Sequence, residues 1–463
     1  MYIEQLYTGC LSEAAYYIES NGEAAIIDPL RETAPYIEKA KSRDASIKYI
    51  FETHFHADFV SGHVDLAKKT GAQIVYGPTA QTNYKIISTT DGDIFTVGKI
   101  KIKVLHTPGH TAESSCYLLF DENGKEYAVF SGDTLFIGDV GRPDLAIKSD
   151  LTQEDLAAML FDSLRNKIMI LPDGVLVYPA HGEGSACGKN ISIEKSSTIG
   201  EQKKFNYALQ NMSKKEFVKQ VTNGIMQAPQ YFSKNANINK NGYISIEEVM
   251  HSGANPMTAI QVEVSVNKGA LILDTRKPAE FGTGFIKGAL NIGIDGQFAV
   301  WAGTLIIDIK RQIILITDKG REGEAVLRLA RVGYDNSIGY LEGGVEAWKN
   351  SGRPLETINS VSALQLEELL KDKKLDVLDV RKPGEYSAEH LKGVPSCPLD
   401  FMNENIPALD KSKTYYLHCK SGYRSMIAGS MLAGSGYHIV NITDGFDALK
   451  NTSLPKVSED VTV

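Results

Sequence analysis

Side chains that bind transition metals occur at several places in the N-terminal part of the sequence, directly after runs of β-forming residues. The segment THFHADFVSGH places His54, His56 and Asp58 at alternate positions after such a run. Imidazole and carboxylate groups gathered from several strand ends form the multidentate site that divalent transition metals need. The spacing therefore predicts a metal site. Its further candidate ligands, which close three other runs, are His110, Asp133 and His181.

A second chemistry is indicated where the apolar run TYYLH is followed by CKSGYRS. Cys419 then lies at a strand-to-helix turn, among backbone N–H groups and near the positive end of a helix, which favours a thiolate and a persulfide. Gly422 allows a tight loop, and Arg424 can hold that loop and meet an anionic substrate. The pattern predicts that Cys419 carries sulfur as a nucleophile.

The other cysteines lack this context. Cys187, in HGEGSACGK, lies six residues after His181 and so near the predicted metal site. We interpret Cys10, Cys116 and Cys397 as structural. Five widely spaced cysteines in 463 residues do not suggest a disulfide framework, so we expect a reducing compartment.

The metal-binding residues can meet only if the ends of their strands lie together at one edge of a sheet. The sheet then fixes the positions of the side chains that the loops at this edge carry. β-rich runs with helical stretches between them predict such an α/β layered domain. The runs are AAIID (24–28), IKYIFETH (47–54), IKVLHTPGH (102–110), YAVFSGD (127–133) and VLVYPAH (175–181). An amphipathic helix is predicted over 213–227, followed by a linker.

From about residue 257 a pattern of strand, loop, strand, tight turn and helix occurs twice. The first copy contains GALILDTRKPAEF and QIILITDKGREGEA, and the second contains LDVLDVRKPGEY and TYYLHCKSGYRS. The repeat predicts two homologous α/β domains in tandem. Where the second copy has Cys419 the first has Asp318, and a carboxylate cannot accept a sulfane sulfur covalently.

Composition narrows the class of partner. The net charge of −8, with acidic and basic residues mixed, gives no basic stripe that would follow phosphates, so we expect no nucleic-acid partner. No basic leader followed by an apolar run, and no span of about 18 uncharged apolar residues, is found, so we expect a cytoplasmic protein without a membrane partner. The segment NINKNGYISIEE has calcium-loop spacing but neutral Asn237, Asn239 and Asn241, so we predict only a turn in the linker.

The order HxHxD, TPGHT, GD and PAH over about residues 1–230 resembles the metallo-β-lactamase superfamily. That resemblance implies an αββα sandwich. Dinuclear hydrolases of the superfamily, glyoxalase II among them, carry a second histidine directly after the aspartate, and here that position is Phe59. A second cation would be left with a poor set of ligands. One metal per domain is therefore expected.

Further similarity, in GDVGRPD and YPAH, is to the persulfide dioxygenase branch. It implies a single Fe(II) held by His54, His110 and Asp133, with three open positions for a substrate and O2. His56, Asp58 and His181 would then orient the ligands or hold water. The resemblance also implies that residues matching Arg142 and Tyr178 contact the thiol carrier, of glutathione, coenzyme A or bacillithiol type. For Arg142 the alternative is a salt bridge that fixes its loop.

Over about 360–450, the spacing Cys-x5-Arg after LDVRKPGEY resembles a single-domain rhodanese, and the first repeat resembles a rhodanese that has lost its nucleophile. Fusions of this three-part type carry a GSxCGK segment, so Cys187 is either a sulfur acceptor beside the iron or a small residue in a glycine-rich loop. The expected fold class is α/β, an αββα sandwich followed by two rhodanese-like domains. The expected boundaries are 1–232, a linker at 233–256, 257–354 and 355–463.

The sequence thus predicts a persulfide dioxygenase and sulfurtransferase. The iron site would oxidise a low-molecular-weight persulfide with O2 to sulfite, and Cys419 with Arg424 would transfer sulfane sulfur among persulfide, sulfite and thiosulfate. The family often forms dimers or tetramers, which implies a homo-oligomer. Two alternatives stay open: a thioester hydrolase of glyoxalase II type, and a carrier or sensor in which Cys419 and Cys187 only hold persulfide.

Overall fold

A computed structural model describes residues 1–146 and 151–459 and divides the chain into two units. The first unit comprises Met1–Ile246 with Ala330–Gly333, and the second comprises Glu247–Leu329 with Tyr334–Val463. The metal-binding motifs all lie in the first unit, and both copies of the repeat lie in the second.

The first unit contains two six-stranded sheets, each formed by six strands that follow one another in sequence. The first sheet has the order β1-β2-β3-β4-β5-β6, formed by Tyr2–Thr8, Glu13–Ser20, Glu23–Ile27, Ser46–Glu52, Gln73–Tyr76 and Ile87–Ser88. The second has the order β12-β11-β10-β9-β8-β7, with β7 to β12 being Ile94–Val97, Ile100–His106, Ser115–Phe120, Glu126–Gly132, Leu176–Pro179 and Ser197–Thr198. The five runs predicted as strands all contain a strand.

Helices cover the outer face of each sheet. Their bounds are Ala34–Ser42 (α1), His63–Thr70 (α2), Gln153–Ser163 (α3), Ile199–Phe205 (α4) and Lys214–Thr222 (α5). The last of these confirms the helix predicted over 213–227, although it ends earlier, at Asn223. Gly224 follows with φ +67°, a conformation that does not continue a helix.

Three hydrophobic cores arise because successive side chains of a strand point to opposite faces. On β2, Tyr16 and Ile18 belong to the core between the sheets, whereas Ala15 and Tyr17 belong to the core that includes α1 and α2. A third core joins the second sheet to α3, α4 and α5. The predicted αββα sandwich is confirmed.

The segment 233–256, expected to be a linker with a turn, is mostly helical, and the expected turn over the asparagines was wrong. Helix α6 spans Phe232–Asn241 and α7 spans Ile246–Gly253. Hydrophobic periodicity does not mark α6, because two of the residues on its buried face, Asn235 and Asn239, are polar. Buried amides of this kind are recognised from their hydrogen bonds rather than from an apolar pattern.

The second unit contains the two copies of the repeat as two parallel sheets. The first copy forms the order β13-β17-β16-β14-β15, with β13 to β17 being Pro256–Met257, Leu271–Asp274, Leu290–Asn291, Ile313–Ile316 and Ser337–Leu341. Its helices are Ala259–Asn267 (α8), Pro278–Thr283 (α9), Phe298–Leu305 (α10), Glu322–Ala330 (α11) and Gly344–Asn350 (α12). All four residues of β16 are buried, as expected for a parallel strand covered on both faces.

The second copy repeats this arrangement as β18-β22-β21-β19. Strands β18 to β23 are Asn359–Val361, Asp376–Asp379, His390–Leu391, Thr414–His418, His438–Ile442 and Lys456–Val457, of which β20 and β23 form a separate pair. Helices α13 to α17 are Ala363–Asp372, Pro383–Ala388, Met402–Asn405, Tyr423–Gly434 and Gly445–Leu449. Two rhodanese-like α/β folds therefore follow the sandwich, as predicted. Within the described residues, no helix is long and apolar enough to cross a membrane.

Candidate functional site

The sandwich brings three of the predicted ligands together at the ends of three strands. His54 follows β4, His110 follows β8 and Asp133 follows β10, and all three are buried. The Nε2 atoms of His54 and His110 lie 3.9 and 3.4 Å from Oδ2 of Asp133. One ligand atom from each residue lies within 4.8 Å of the other two, so the three side chains can hold one ion.

Each of the three side chains is oriented by a hydrogen bond on the side away from its partners. Thr53 Oγ1 donates its hydrogen to Asp28 Oδ2 at 2.8 Å, so it must accept from Nδ1 of His54, which lies 3.0 Å away. His110 Nδ1 lies 2.8 Å from the carbonyl oxygen of Arg142 and must donate to it. Both imidazoles therefore present an unprotonated Nε2 to the cluster.

The atoms that face the cluster centre have no hydrogen-bond partner within the described part of the chain. They are His54 Nε2, His110 Nε2 and Asp133 Oδ2, and each is buried. Buried polar atoms without partners are rare because they lose hydration without compensation. Three such atoms, two imidazole nitrogens and one carboxylate oxygen, are the donor set that a divalent transition metal takes.

The protonation states suit a cation at this position. Burial lowers the pKa of His54 well below its usual range, so its ring is neutral and has a free lone pair. Burial alone would raise the pKa of Asp133, but the charge of His181 and its hydrogen bond to the carboxylate outweigh this effect and hold the pKa below its usual range. The cluster therefore combines a neutral imidazole with an ionised carboxylate.

His181 is placed between two carboxylates rather than toward the cluster centre. Its Nδ1 lies 2.8 Å from Asp133 Oδ1, and its Nε2 lies 2.8 Å from Asp58 Oδ2. Although burial opposes the charge, Asp133 and Asp58 raise the pKa of His181 well above its usual range. His181 and Asp58 thus orient the free oxygen of Asp133, an arrangement in which neither ring nitrogen of His181 is available to a second ion.

His56 is also turned away from the cluster. Its Nε2 lies 3.0 Å from Asp28 Oδ1 and 3.8 Å from Glu52 Oε2, and its ring lies 4.3 Å from the ring of the fully buried Phe59. Burial and the Asp28 carboxylate raise the pKa of Glu52 well above its usual range. The His56 ring thus faces Asp28 and Glu52 rather than the cluster, and Phe59 offers no ligand atom.

Two further predicted residues lie in this unit with their polar groups largely engaged. The Arg142 guanidinium pairs with both oxygens of Asp144 at 2.7 Å and donates to the carbonyls of Ala186 at 3.2 Å and Met226 at 2.5 Å. The half-buried Tyr178 ring packs on Phe130 in the layer between the sheets. Arg142 therefore fixes the loop whose carbonyl orients His110, and substrate contact by either residue stays a prediction.

Cys187 lies beside the chain of buried polar groups that supports the cluster. One ligand atom each of Cys187, Asp58 and His181 lies within 4.8 Å of the others. Burial and the carboxylates of Asp58 and Asp133 raise the pKa of the Cys187 thiol well above its usual range. The position of Cys187 agrees with its expected nearness to the metal, whereas its role in accepting sulfur stays a prediction.

Cys116 has different surroundings. Burial raises the pKa of its thiol to about 11, and it lies in a hydrophobic core.

In the second unit, Cys419 lies in the loop between β21 and α16. The N–H of Gly422 donates to Cys419 Sγ at 3.1 Å. Gly422 has φ +92°, and an added Cβ there would lie 2.2 Å from the carbonyl oxygen of Thr443, so only glycine fits. Arg424 makes a paired ion bridge to both oxygens of Glu385, at 2.5 and 2.8 Å. The thiol thus receives a backbone hydrogen bond, and the arginine that was expected to hold the loop is fixed by a carboxylate.

The corresponding loop of the first repeat has a different arrangement. Asp318 is exposed, and Arg321 pairs with Asp295 and with Glu324. No cysteine is present at this turn. This domain therefore has no nucleophile at the position equivalent to Cys419.

The sequence interpretation missed one important residue near the metal cluster. The amide of Asn239 on α6 donates to the carbonyls of His56 and Phe59, both at 2.8 Å, and accepts from the N–H of Ser61 at 2.9 Å. Asn239 thus holds the segment that follows His54 by three hydrogen bonds. The only sequence signal was the run of asparagines, which resembled a calcium loop.

Two family profiles match the chain. That of the metallo-beta-lactamase superfamily matches residues 8–181, and that of the rhodanese-like domain matches 258–351 and 362–452. The first match contains the whole metal cluster. The last contains Cys419, and the one before it contains Asp318.

Similar proteins extend these matches. A crystal structure of a metallo-beta-lactamase from Staphylococcus aureus subsp. aureus COL has a TM-score of 0.65 and 34% identity, covering 74% of this chain and 98% of that one. The mitochondrial persulfide dioxygenase ETHE1 of Homo sapiens is 32% identical over 45% of this chain and 74% of its own length. Probable hydroxyacylglutathione hydrolase glo2 of Schizosaccharomyces pombe is 31% identical over 39% of this chain and 75% of its own length. Overall similarity therefore does not separate an oxygenase from a hydrolase, and the residues of the site must do so.

Proposed function

Because the chain belongs to the metallo-beta-lactamase superfamily and joins that domain to two rhodanese-like domains, we propose that it is a persulfide dioxygenase and sulfurtransferase. In the first reaction, one thiol persulfide, one O2 and one water give the free thiol and sulfite. In the second, Cys419 carries a sulfane sulfur between thiosulfate and a thiol. The two reactions share persulfide and sulfite.

The observation that carries the proposal is the set of three buried atoms without partners, on His54, His110 and Asp133. Two imidazoles and one carboxylate on one side of an Fe(II) ion would leave three positions at which a sulfur substrate and O2 bind together. Zinc in the same ligands has no redox chemistry to offer. The hydrogen bonds that His54 and His110 donate to Thr53 and to the Arg142 carbonyl, together with the one between His181 and Asp133, would keep these ligands in one geometry.

A second ion, which the hydrolase alternative requires, is disfavoured by two features of the site. Phe59 offers no ligand atom, and both ring nitrogens of His181 are hydrogen-bonded to the carboxylates of Asp58 and Asp133. An ion bound to His181 would have to displace at least one of these hydrogen bonds.

The proposed substrate is the persulfide of a small thiol of glutathione, coenzyme A or bacillithiol type. Each carries carboxylate or phosphate groups, to which an arginine can make paired hydrogen bonds. Arg142 is the proposed contact, and its present partner Asp144 is only partly buried. When the substrate binds, the Arg142 guanidinium would exchange the Asp144 carboxylate for a carboxylate or phosphate of the substrate and would remain paired.

For sulfur transfer, the proposal rests on the loop of Cys419. The Gly422 N–H lies 3.1 Å from Sγ and can stabilise a thiolate or the inner sulfur of a persulfide. The Arg424–Glu385 pair fixes the first turn of α16, directly after the loop. Arg424 therefore supports the loop and adds positive charge toward an entering anion.

Purification without oxygen, followed by metal analysis and oxygen measurement, tests the first reaction. We expect close to one iron per chain and oxygen uptake when glutathione persulfide is added. A preparation loaded with iron that takes up no oxygen would refute the dioxygenase proposal.

The similarity to hydroxyacylglutathione hydrolases keeps one second candidate, a two-metal thioester hydrolase. Nearly two zinc ions per chain, together with thioester cleavage in the absence of oxygen, would favour it. Phe59→His tests both candidates, because it restores the histidine that the dinuclear hydrolases have at this position. If the single-ion proposal holds, metal content stays near one in this variant, since both ring nitrogens of His181 remain hydrogen-bonded to carboxylates.

A further inference from the structure

The helix that follows Cys419 lies against the rhodanese-like domain that has no nucleophile. Helix α16 begins at Tyr423, four residues after Cys419, and Tyr423 donates its hydroxyl to the carbonyl oxygen of Gly293 at 2.8 Å. Two turns further on, Ser430 Oγ accepts from the N–H of Asn291 at 2.9 Å. The helix that follows the Cys419 loop is thus hydrogen-bonded to the last residue of β15 and to Gly293, two residues after it, in the first repeat.

Two glycines of the first repeat, Gly293 and Gly296, lie close to the ring of Tyr423. A Cβ at Gly296 would lie 2.3 Å from Cζ of Tyr423, and one at Gly293 would lie 3.2 Å from its Cε2. Neither glycine has a positive φ that would explain the absence of a side chain. Gly296 is therefore required by the close approach of the tyrosine ring, whereas a side chain at Gly293 would need only a slight shift of the ring.

The segment 293–296 is itself held in place by the first repeat. Arg328 on α11 donates to the carbonyls of Ile294 and Gly296. Arg321 pairs with Asp295 at 2.7 Å, and Arg321 belongs to the turn in which Asp318 replaces the thiol. The turn that has no nucleophile thus helps to fix the residues on which Tyr423 rests.

A displacement of Tyr423 would reach the sulfur directly. Gly422 precedes it, and the N–H of Gly422 donates to Cys419 Sγ. Burial raises the pKa of Tyr423 above its usual range, so its hydroxyl stays protonated and remains a donor. The hydrogen bond from Tyr423 to Gly293 therefore holds the residue next to the N–H that bonds Cys419 Sγ.

We propose that the first rhodanese-like domain positions the sulfur-carrying loop of the second, with Tyr423 as the positioning residue and the segment 293–296 as its support. The proposal rests on the proposed sulfur transfer at Cys419. It assigns a role to the domain that has Asp318 at the position of the thiol. Tyr423 itself contacts no reacting atom and acts through Gly422.

Tyr423→Phe in the full-length protein tests the proposal, because it removes the hydroxyl and keeps the ring. The matched control is Tyr437→Phe, a buried tyrosine beyond the other end of α16 that donates to the carbonyls of Ile406 and Leu409. Two quantities are measured: sulfur transfer from thiosulfate to cyanide, and the pH dependence of Cys419 alkylation by iodoacetamide, followed at its own peptide.

We expect Tyr423→Phe to lower kcat for transfer roughly 5- to 10-fold, the effect of one net hydrogen bond, with KM for thiosulfate changed less than about twofold. Its alkylation profile should move to higher pH, because the thiolate loses part of the Gly422 N–H bond. Tyr437→Phe should keep the wild-type profile. Gly296→Ala, made in the other domain, should reproduce the changes of Tyr423→Phe, whereas Gly174→Ala, at a glycine with no atom within 4 Å of an added Cβ, should not.

Equal behaviour of Tyr423→Phe and Tyr437→Phe in both measurements would overturn the proposal, as would a loss of transfer with an unchanged alkylation profile, since that indicates general destabilisation. Failure of the proposed function is a separate result. If wild-type protein transfers no sulfur but the alkylation profile still moves in Tyr423→Phe and Gly296→Ala, the positioning stands and the sulfurtransferase activity does not.

Discussion

At the scale of single residues, one hydroxyl determines which nitrogen of His54 can bind a metal. Thr53 gives its only hydroxyl hydrogen to Asp28, so His54 must donate from Nδ1 and keep Nε2 free. The same Asp28 carboxylate draws His56 away from the cluster. Asp28, a buried aspartate outside the metal motifs, thus gives two nearby histidines different roles. It keeps Nε2 of His54 free for a metal, and it holds the ring of His56 away from the cluster.

The division of chemistry between His110 and Cys419 gives the first prediction. His110→Ala should remove iron and oxygen uptake and leave thiosulfate sulfur transfer unchanged, because the two residues belong to different units. Cys419→Ser should abolish sulfur transfer and leave oxygen uptake. Iron analysis, an oxygen electrode and a thiosulfate assay on both variants provide the measurement. Loss of both activities in either variant would show that the chemistry has been divided wrongly.

Asn239 gives a second prediction at this scale. Asn239→Ala removes two donors to the carbonyls of His56 and Phe59 and should weaken iron binding about 10- to 100-fold, the usual effect of losing a group that orients metal ligands. Iron retained after dialysis against a chelator series measures it. Asn237→Ala, on the same helix, is the control. Equal retention in the two variants would contradict the role assigned to Asn239.

At the scale of elements, α2 begins at His63, whose ring is buried beside β4. The Nε2 of His63 lies 2.7 Å from the hydroxyl of Tyr84, and Nδ1 lies 3.5 Å from Glu52. Burial, helped by His56, lowers the pKa of His63 from 6.5 to about 3. The ring is therefore packed as a neutral group.

This depressed pKa predicts acid sensitivity of the first unit. Above pH 6.5 His63 is neutral in both states and has no effect. As pH falls from 6.5 toward 3, the unfolded chain takes up a proton that the folded chain does not, so stability decreases by up to about 1.4 kcal/mol per pH unit. In His63→Asn, the pH dependence of the free energy of unfolding should be smaller by nearly one proton between pH 5 and 6.5. Hydrogen exchange of the backbone amides of β4 measures this dependence. The exposed His438→Asn should leave it as in wild type, and an unchanged dependence in His63→Asn would disprove the assignment.

The elements also show what the sequence could predict. Strand runs ending in His110, Asp133 and His181 indicated an α/β layered domain and the metal cluster, because β-rich runs and strand-end ligands are visible in sequence. The sandwich itself was implied by the resemblance to the metallo-β-lactamase superfamily. Helix α6 was missed, since its buried face is made partly of the polar residues Asn235 and Asn239, and the hydrogen-bond partners of Asn239 are distant in sequence. The direction in which His56 points was equally beyond prediction, because it depends on Asp28, which lies 28 residues earlier and directly after β3.

At the scale of the whole molecule, two activities that share sulfite and persulfide lie in one chain. Covalent connection raises the concentration at which an intermediate released by one site meets the other. A comparison of cis and trans arrangements measures this effect with full-length proteins. Wild type is compared with an equimolar mixture of His110→Ala and Cys419→Ser, each of which supplies one activity.

Thiosulfate formed from glutathione persulfide and O2 is the readout of that comparison. We expect wild type to keep its rate per molecule on dilution, whereas the rate of the mixture should fall, because its intermediates must diffuse between molecules. If mixture and wild type agree at every dilution, the connection provides no kinetic advantage.

The metal ligands come from both sheets of the sandwich, and this has a consequence for the amount of the protein in cells. His54 follows a strand of one sheet, and His110 and Asp133 follow strands of the other, so an ion held by all three ties the halves of the sandwich together. Binding energy at such a junction adds to folding energy. Cells short of iron would then hold less of this protein as well as less of its activity, because newly made chains without the metal would open and be degraded sooner.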